Sequence, residues 1–251
     1  MANSTDELNS LNMLYQRGCE NGIKGIKKLS TDAVCEYEPN VTGMAALYCP
    51  ETGIIHYQLV CEQLSENIQQ KGEIIRGGEV ITIDEKSDGI TIITKTSEYR
   101  THFLINCAGL FSDQIAELAG VHREVRIIPF RGEYYMLKKH ARYLVKNLIY
   151  PVPDARYPFL GAHLTRTLDG GIEAGPNAVL AWAREGYKKT DIDIKEMWDY
   201  LSYKGFWRMA GKYWTTAMGE YYRSFFKGSF VRGLQKLVPK ITADDISPSP
   251  A

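Results

Sequence analysis

The stretch from residue 126 to residue 180 constrains the fold most, because apolar β-type runs alternate there with turn clusters. The runs cover residues 126–137, 143–152, 159–165 and 171–175 with the residues that follow, separated by turn clusters at 154–158 and 168–171. Short β-type runs joined by turns predict a largely antiparallel sheet. Arg131 and His163 lie inside these runs, and such side chains within β-structure are typical of a carboxylate-binding pocket.

The first 120 residues have a different pattern. The first fifty are predicted to be mainly helical, and a second amphipathic helix is predicted after residue 53, ending at Gly72 and packing on a sheet. Four strands follow at 74–75, 80–83, 90–94 and 103–109, the middle two joined by a hairpin turn at 86–89. A helix is then predicted over 112–119, with Gly120 at its end.

The C-terminal part is predicted to be helical. Asp193 and Glu196 have the spacing of a capping box, and a further helix is predicted over 221–237, where Pro239 ends it. The overall prediction is an α/β (α+β) chain with two domains, residues 1–120 and residues 121–251.

The predicted strand 103–109 leads through Ala108 and Gly109 into a helix. A buried strand, a glycine turn and a helix N-terminus can bring main chain close to a cofactor and direct amide hydrogens at an anion. Many α/β proteins have such a crossing without a ligand, so a purely structural role stays open.

Composition excludes several classes of protein. The chain has 30 basic and 30 acidic residues in 251, which gives no net field to attract nucleic acid. No apolar run approaches the ~18 residues of a membrane span, and the polar start is not a signal peptide, so a cytoplasmic protein is expected. The five cysteines lack metal-type spacing and are predicted to be reduced, buried thiols.

Six short motifs in a fixed order then suggest a family. They are Gly-Ile-Ile-His-Tyr at 53–57, Cys-Ala-Gly-Leu-Phe-Ser-Asp at 107–113, Pro-Phe-Arg-Gly-Glu-Tyr at 129–134, Tyr-Pro-Val-Pro-Asp at 150–154, Gly-Pro-Asn-Ala-Val at 175–179 and Arg-Glu-Gly-Tyr at 184–187. In these motifs the chain resembles the L-2-hydroxyglutarate oxidases and dehydrogenases, FAD enzymes of the D-amino-acid-oxidase-like superfamily. The resemblance covers the chain from about residue 8 onward, and the third and fifth motifs are its most specific part.

The chain departs from that family in one respect. The resemblance implies a Gly-x-Gly-x-x-Gly turn for the FAD pyrophosphate, and this sequence has none. We therefore expect a central fragment of a longer enzyme: residues 1–120 as a partial FAD-binding domain, and residues 121–251 as a substrate-binding domain truncated before a flavin-contacting segment. Alone, the chain is expected to be inactive and to bind FAD poorly.

The resemblance also implies roles for individual residues. The reaction would be FAD-dependent oxidation of L-2-hydroxyglutarate to 2-oxoglutarate by hydride transfer to the flavin, with His163 as the base. Arg131 would be the first carboxylate clamp, and Arg131→Ala would mainly weaken substrate capture. Arg166 would be a weaker clamp, Tyr150 and Asn177 would donate hydrogen bonds, and Arg184 would lie at the entrance. Main chain at Val80, Ala108 and Gly109 would contact FAD, and no metal is implied.

Alternatives stay open. A His163 bonded to a backbone carbonyl in a core, or an Arg131 in a surface ion pair with Glu133, would be structural residues. An FAD-dependent amino-acid oxidase or dehydrogenase would need an arginine two residues before Asp169-Gly170, whereas Arg166 stands three before. A non-catalytic remnant is the third possibility. The electron acceptor is expected to be oxygen or a quinone, which would allow a peripheral position at the membrane.

Overall fold

The computed structural model describes residues 1–153 and 161–249. The predicted turn at 154–158 and the first part of the predicted strand 159–165 lie outside the described residues. The chain forms two compact units, each built from separate segments. Unit 1 comprises residues 1–55, 130–180 and 212–251, and unit 2 comprises residues 56–129 and 181–211. The assignment of residues 1–120 to FAD and 121–251 to substrate stays a prediction.

The described residues contain seven α-helices and nine strands. The helices are α1 (Thr5–Glu20), α2 (Thr31–Tyr37), α3 (Tyr57–Gln69), α4 (Ser112–Leu118), α5 (Ile194–Leu201), α6 (Lys204–Phe225) and α7 (Lys227–Gln235). The strands are β1 (Lys27–Ser30), β2 (Ala45–Tyr48), β3 (Val80–Lys86), β4 (Gly89–Thr94), β5 (Glu98–Thr101), β6 (Phe130–Leu137), β7 (His163–Arg166), β8 (Ile172–Leu180) and β9 (Ile246–Ser249). Short 3₁₀ helices occur at Gly109–Phe111, Lys139–Leu144 and Ala243–Asp245.

Unit 1 contains a four-stranded antiparallel sheet in the order β7-β8-β6-β9, and β1 pairs with β2. The pairing of β6 with β8 shifts register between Glu133 and Tyr135, which is a β-bulge. As a result Asn177 and Ala174, three residues apart on β8, lie opposite Glu133 and Tyr135 and share one face of the sheet.

That face carries the core of unit 1. Leu164, Ala174 and Leu137 are buried there against Phe230 and Leu234 of α7. The ring of Tyr135 packs on Phe230, with centroids 4.6 Å apart. Burial of apolar side chains, at about 25 cal/mol per Å² of apolar surface, is the main stabilisation of such a layer. The opposite face of the sheet is half-buried.

Unit 2 contains the three-stranded sheet β3-β4-β5, and β3 and β4 form the predicted hairpin. The predicted helices over 57–68 and 112–119 are confirmed as α3 and α4, and Gly120 ends α4 with φ of +80°. In α5 the Asp193 side chain accepts from the Glu196 amide at 2.9 Å. The Glu196 carboxylate accepts from the Arg184 amide, so the second half of the predicted box is not made.

Several predictions are wrong. Residues 103–108 form no strand, and Phe103 and Ile105 are more than four-fifths exposed, because no described strand pairs with them. Helix α3 buries none of its residues, so it does not pack on a sheet as expected. A 3₁₀ helix at Lys139–Leu144 replaces the start of the strand predicted over 143–152. The helix predicted over 221–237 is the end of α6 followed by α7.

The cysteine prediction is also wrong in part. All five thiols are free, but Cys19, Cys35, Cys61 and Cys107 are exposed and Cys49 is intermediate. Cys19, Cys35 and Cys61 belong to α1, α2 and α3, which have few buried residues, and Cys107 follows the unpaired segment 103–106.

Candidate active site

The half-buried face of the four-stranded sheet carries His163. This residue begins β7 and lies opposite Gly175 of β8. The ring of Tyr150 stacks on the His163 ring, with centroids 4.4 Å apart and planes 23° apart. The Tyr150 hydroxyl is 3.2 Å from the Thr165 hydroxyl, two residues along the same strand. An imidazole and two hydroxyl groups therefore lie together.

The protonation of His163 follows from its contacts. Nδ1 is 3.2 Å from the Gly161 carbonyl oxygen, and a carbonyl only accepts, so Nδ1 carries the hydrogen. Burial lowers the pKa of His163 below its ordinary value, although the bond to Gly161 works in the opposite direction. The ring is therefore neutral near pH 7, and Nε2 has a lone pair for a proton.

Three residues on this face were missed by the sequence analysis. Thr165, Glu173 and Tyr134 belong to β7, β8 and β6, and all are partly buried. Burial, the Glu173 carboxylate and Tyr150 all raise the pKa of Tyr134, so its hydroxyl stays protonated and can donate a hydrogen bond. The alternation of strand residues could have identified Thr165, which is two residues from His163.

Arg131 does not share this face. It lies opposite Val179 on the face covered by helices, and its Nη2 donates to Glu133 Oε1 at 2.9 Å. Both side chains are largely buried. The expectation that Arg131 and His163 line one hollow is therefore wrong, because the pairing of β6 and β7 with β8 directs them to opposite faces. Arg131 pairs with Glu133, as one alternative allowed, although the pair is buried rather than at the surface.

Asn177 is also on the helix-covered face and is 2% exposed. Its amide nitrogen donates to the Glu220 carbonyl oxygen at 2.8 Å, and its amide oxygen accepts from Arg223 at 3.3 Å. Both of its polar atoms are thus bonded to α6. Arg166 is exposed and donates to the Lys146 carbonyl oxygen at 2.9 Å, at the edge of a largely apolar cavity of about 610 Å³.

Arg184 is buried rather than at an entrance. In unit 2 its two terminal nitrogens grip both oxygens of Asp113, at 2.6 and 2.9 Å, and one of them also donates to Asp199 at 3.2 Å. Burial works to raise the pKa of Asp113, but the bonds from Arg184 and from the Ile127 amide, together with the charges of Arg184 and Arg123, place that pKa below its ordinary value. The prediction that Arg184 lies at the entrance is therefore wrong, because its side chain is 2% exposed.

The predicted cofactor residues lie in unit 2. Val80 begins β3, and Ala108 precedes a short 3₁₀ turn that starts at Gly109. Gly109 has φ of +54°, and a Cβ added there would meet no atom within 4 Å. Exposed main chain with open space beside it fits the close approach of a flat or anionic group such as part of FAD. The Gly-x-Gly-x-x-Gly turn that would hold the pyrophosphate is absent from this sequence.

Comparison with solved structures shows the fold. The chain resembles the dithionite-reduced L-alpha-glycerophosphate oxidase from Mycoplasma pneumoniae with FAD bound, with a TM-score of 0.71, 21% identity, and coverage of 99% of this chain and 59% of that one. It also resembles L-proline dehydrogenase from P. horikoshii, with a TM-score of 0.66, 13% identity, and coverage of 99% and 57%. These similarities identify a fold found in flavin-dependent oxidoreductases.

Sequence comparison shows the family. The family of FAD dependent oxidoreductases called DAO matches residues 1–205, and the chain therefore belongs to it. L-2-hydroxyglutarate dehydrogenase of Indibacter alkaliphilus is 46% identical over 248 residues, or 98% of this chain and 62% of that protein. The mitochondrial protein of that name from Mus musculus is 39% identical over 259 residues, or 98% and 56%. The Escherichia coli K12 protein is 37% identical over 253 residues, or 100% and 60%.

The chain thus spans about 60% of the length of the curated relatives it matches. Within the described ranges 1–153 and 161–249, no helix combines the length and hydrophobicity needed to cross a membrane.

Proposed function

We propose that this chain provides the substrate-binding sheet, and part of the FAD-binding surface, of an enzyme that oxidises L-2-hydroxyglutarate to 2-oxoglutarate. One observation carries the proposal: a neutral imidazole on the half-buried sheet face, with Nδ1 bonded to Gly161 and the ring stacked on Tyr150. Relatives named for this activity match nearly the whole chain.

The cofactor would be FAD, which accepts a hydride from the substrate carbon when bound. Main chain at Ala108 and Gly109 would lie beside it, since the positive φ and open space at Gly109 allow close approach. Val80 would contribute main chain in the same way. These contacts need no particular side chain, so a substitution there would weaken FAD binding only through the size of the new side chain.

His163 would accept the proton of the substrate hydroxyl group at Nε2. The Gly161 carbonyl holds the hydrogen on Nδ1 and thereby keeps Nε2 as the acceptor. Because burial lowers the pKa of His163, the ring stays in the neutral form, which is the form that can accept a proton. A positioned general base of this kind contributes about 10²–10⁴-fold to a rate.

Hydroxyl groups on the face of His163 would bind the substrate carboxylates. Tyr134, Tyr150 and Thr165 can donate hydrogen bonds on the face of His163, and within the four described strands that face has no arginine or lysine. Arg131 and Asn177 would support this sheet from the opposite face rather than touch the substrate. Arg166 remains a candidate clamp at the edge of the sheet, and Arg184 would act within unit 2.

The experiment is a chimaera in which these 251 residues replace the matching 248 residues of the Indibacter alkaliphilus relative. We expect the chimaera to be yellow because it binds FAD. It should reduce a dye acceptor with L-2-hydroxyglutarate but not with D-2-hydroxyglutarate or L-amino acids. The matched control is the same protein carrying His163→Asn. A yellow chimaera that oxidises L-amino acids instead would establish the amino-acid oxidase alternative.

The isolated chain, which spans about 60% of the length of its curated relatives, is expected to bind FAD poorly and to be inactive. Flavin absorbance of the purified chain measures this directly, and a yellow, active chain would contradict it. Oxygen or a quinone as electron acceptor stays a prediction, as does a cytoplasmic or peripheral membrane location. Steady-state rates of the chimaera with oxygen, a soluble quinone and a dye would identify the acceptor.

A further inference from the structure

The turn at Gly109 has few contacts of its own to fix its position. It belongs to no sheet, and five of the six residues before it, 103–108, are exposed, the exception being the partly buried Leu104. Within the turn the Phe111 amide donates to the Ala108 carbonyl oxygen at 3.0 Å. The Asn106 side chain bridges the Ala108 amide and the Ser112 carbonyl oxygen, at 3.1 and 2.7 Å. These bonds all join residues within the segment 106–112, so they do not tie the turn to the rest of unit 2.

Arg184 supplies the long-range contact. One of its terminal nitrogens donates to the Leu110 carbonyl oxygen, one residue beyond Gly109, and also to Asp113 in the first turn of α4. The guanidinium carbon is 5.8 Å from the centre of the Phe111 ring. The buried Arg184 side chain therefore contacts Leu110 and Phe111 of the turn and Asp113 of the helix that follows.

Arg184 is itself fixed from the other side. Its amide donates to the Glu196 carboxylate at 2.7 Å, and its second terminal nitrogen donates to Asp199 at 3.2 Å; both acids belong to α5. The planar guanidinium has five donors in a rigid fork, so it can hold two carboxylates and a carbonyl at once. A lysine has one compact ammonium group and cannot reproduce this geometry.

We infer that Arg184 is a positioning residue that holds the Gly109–Leu110 main chain in the conformation that binds FAD. The inference rests on the proposed function, because FAD contact at Gly109 is part of it. Arg184 touches neither substrate nor reacting atoms in this account. Its effect on FAD would pass through the Leu110 carbonyl group and α4.

The test compares Arg184→Lys with Arg123→Lys in the chimaera described above, because the isolated chain is expected to bind FAD poorly. Arg123 is a matched control, because it pairs with the same two acids, Asp113 and Asp199, and with Glu117. No hydrogen bond from Arg123 to the turn is present among the described contacts. Three quantities are measured: the affinity for FAD by fluorescence titration, amide hydrogen exchange at Phe111, and the midpoint of thermal unfolding.

We expect Arg184→Lys to weaken FAD binding by about tenfold, which corresponds to about 1.4 kcal/mol, and to speed exchange at Phe111. Arg123→Lys should lower the unfolding midpoint without either effect. Equal effects of both variants would reduce Arg184 to a structural residue and overturn the inference. If Arg184→Lys does not fold, Arg184→Gln gives the same readouts.

Hydrogen exchange separates this inference from the proposed function. If the chimaera without further substitutions does not bind FAD, the cofactor part of the proposed function fails, and faster exchange at Phe111 in Arg184→Lys but not in Arg123→Lys still supports the positioning role. Unchanged exchange at Phe111 in the folded Arg184 variants overturns the positioning role whatever FAD does.

Discussion

The ring of Tyr150 lies on the ring of His163, with centroids 4.4 Å apart, and its hydroxyl reaches Thr165 of the same strand. The stack limits rotation of the imidazole, and the Gly161 carbonyl fixes the position of its hydrogen. The orientation of the proposed base therefore depends on two neighbours, one through ring contact and one through a hydrogen bond.

His163→Ala in the chimaera should lower the rate of flavin reduction by about two to four orders of magnitude, because the hydroxyl proton loses its acceptor. Rapid-mixing absorbance measures this rate. His140→Ala is the control, since this histidine is exposed and contacts Asp245. A His163→Ala rate equal to that of the control would remove the assignment of His163 as base.

The lowered pKa of His163 predicts a pH dependence of stability. The unfolded chain binds a proton at the ordinary value of 6.5, whereas the folded chain binds it only at lower pH because the ring is buried. The contribution of this residue is therefore present above pH 6.5 and is lost as pH falls towards the folded-state pKa. Urea unfolding at pH 8 and pH 5.5 should show a larger loss for wild type than for His163→Asn. Equal losses would show that His163 is not buried as a neutral ring.

Arg131→Ala should mainly destabilise unit 1, because it removes a guanidinium that donates a hydrogen bond to the largely buried Glu133 carboxylate. Removing one member of a buried pair costs about 3–5 kcal/mol. Chemical denaturation measures the loss, and Arg131→Met combined with Glu133→Gln should restore part of it. A KM raised at least tenfold without loss of stability would instead favour direct substrate binding.

In the chimaera, Gly109→Val should weaken FAD binding because the new side chain occupies the open space beside the turn. Gly120→Val is a close control, since Gly120 also has positive φ and no atom within 4 Å of an added Cβ. Both variants should lose at least about 1–2 kcal/mol of stability from the left-handed backbone. FAD titration should distinguish them, and similar FAD affinities would exclude main-chain contact at Gly109.

Local patterns predicted local structure well. The hairpin between β3 and β4, the start of α5 at Asp193 and the end of α4 at Gly120 each depend on a few adjacent residues. The apolar run at 103–107 was misleading, because a strand needs partners that its own residues do not specify. The positions of Arg131 and Arg184 were not predictable either, since one depends on strand pairing and the other on acids far along the chain.

The irregularity between Glu133 and Tyr135 decides which side chains meet the proposed substrate. Strand residues alternate between faces, and the extra residue reverses that alternation halfway along β8. Removing one residue at Gly175 would take out the extra residue, so Ala174 and Asn177 would be two residues apart in a regular strand, and Asn177 and Val179 would still face the helices. With all nine residues of β8 in place, it is this one irregular step that keeps Ala174, Asn177 and Val179 on a common face, since unbroken alternation would turn Asn177 and Val179 towards the imidazole.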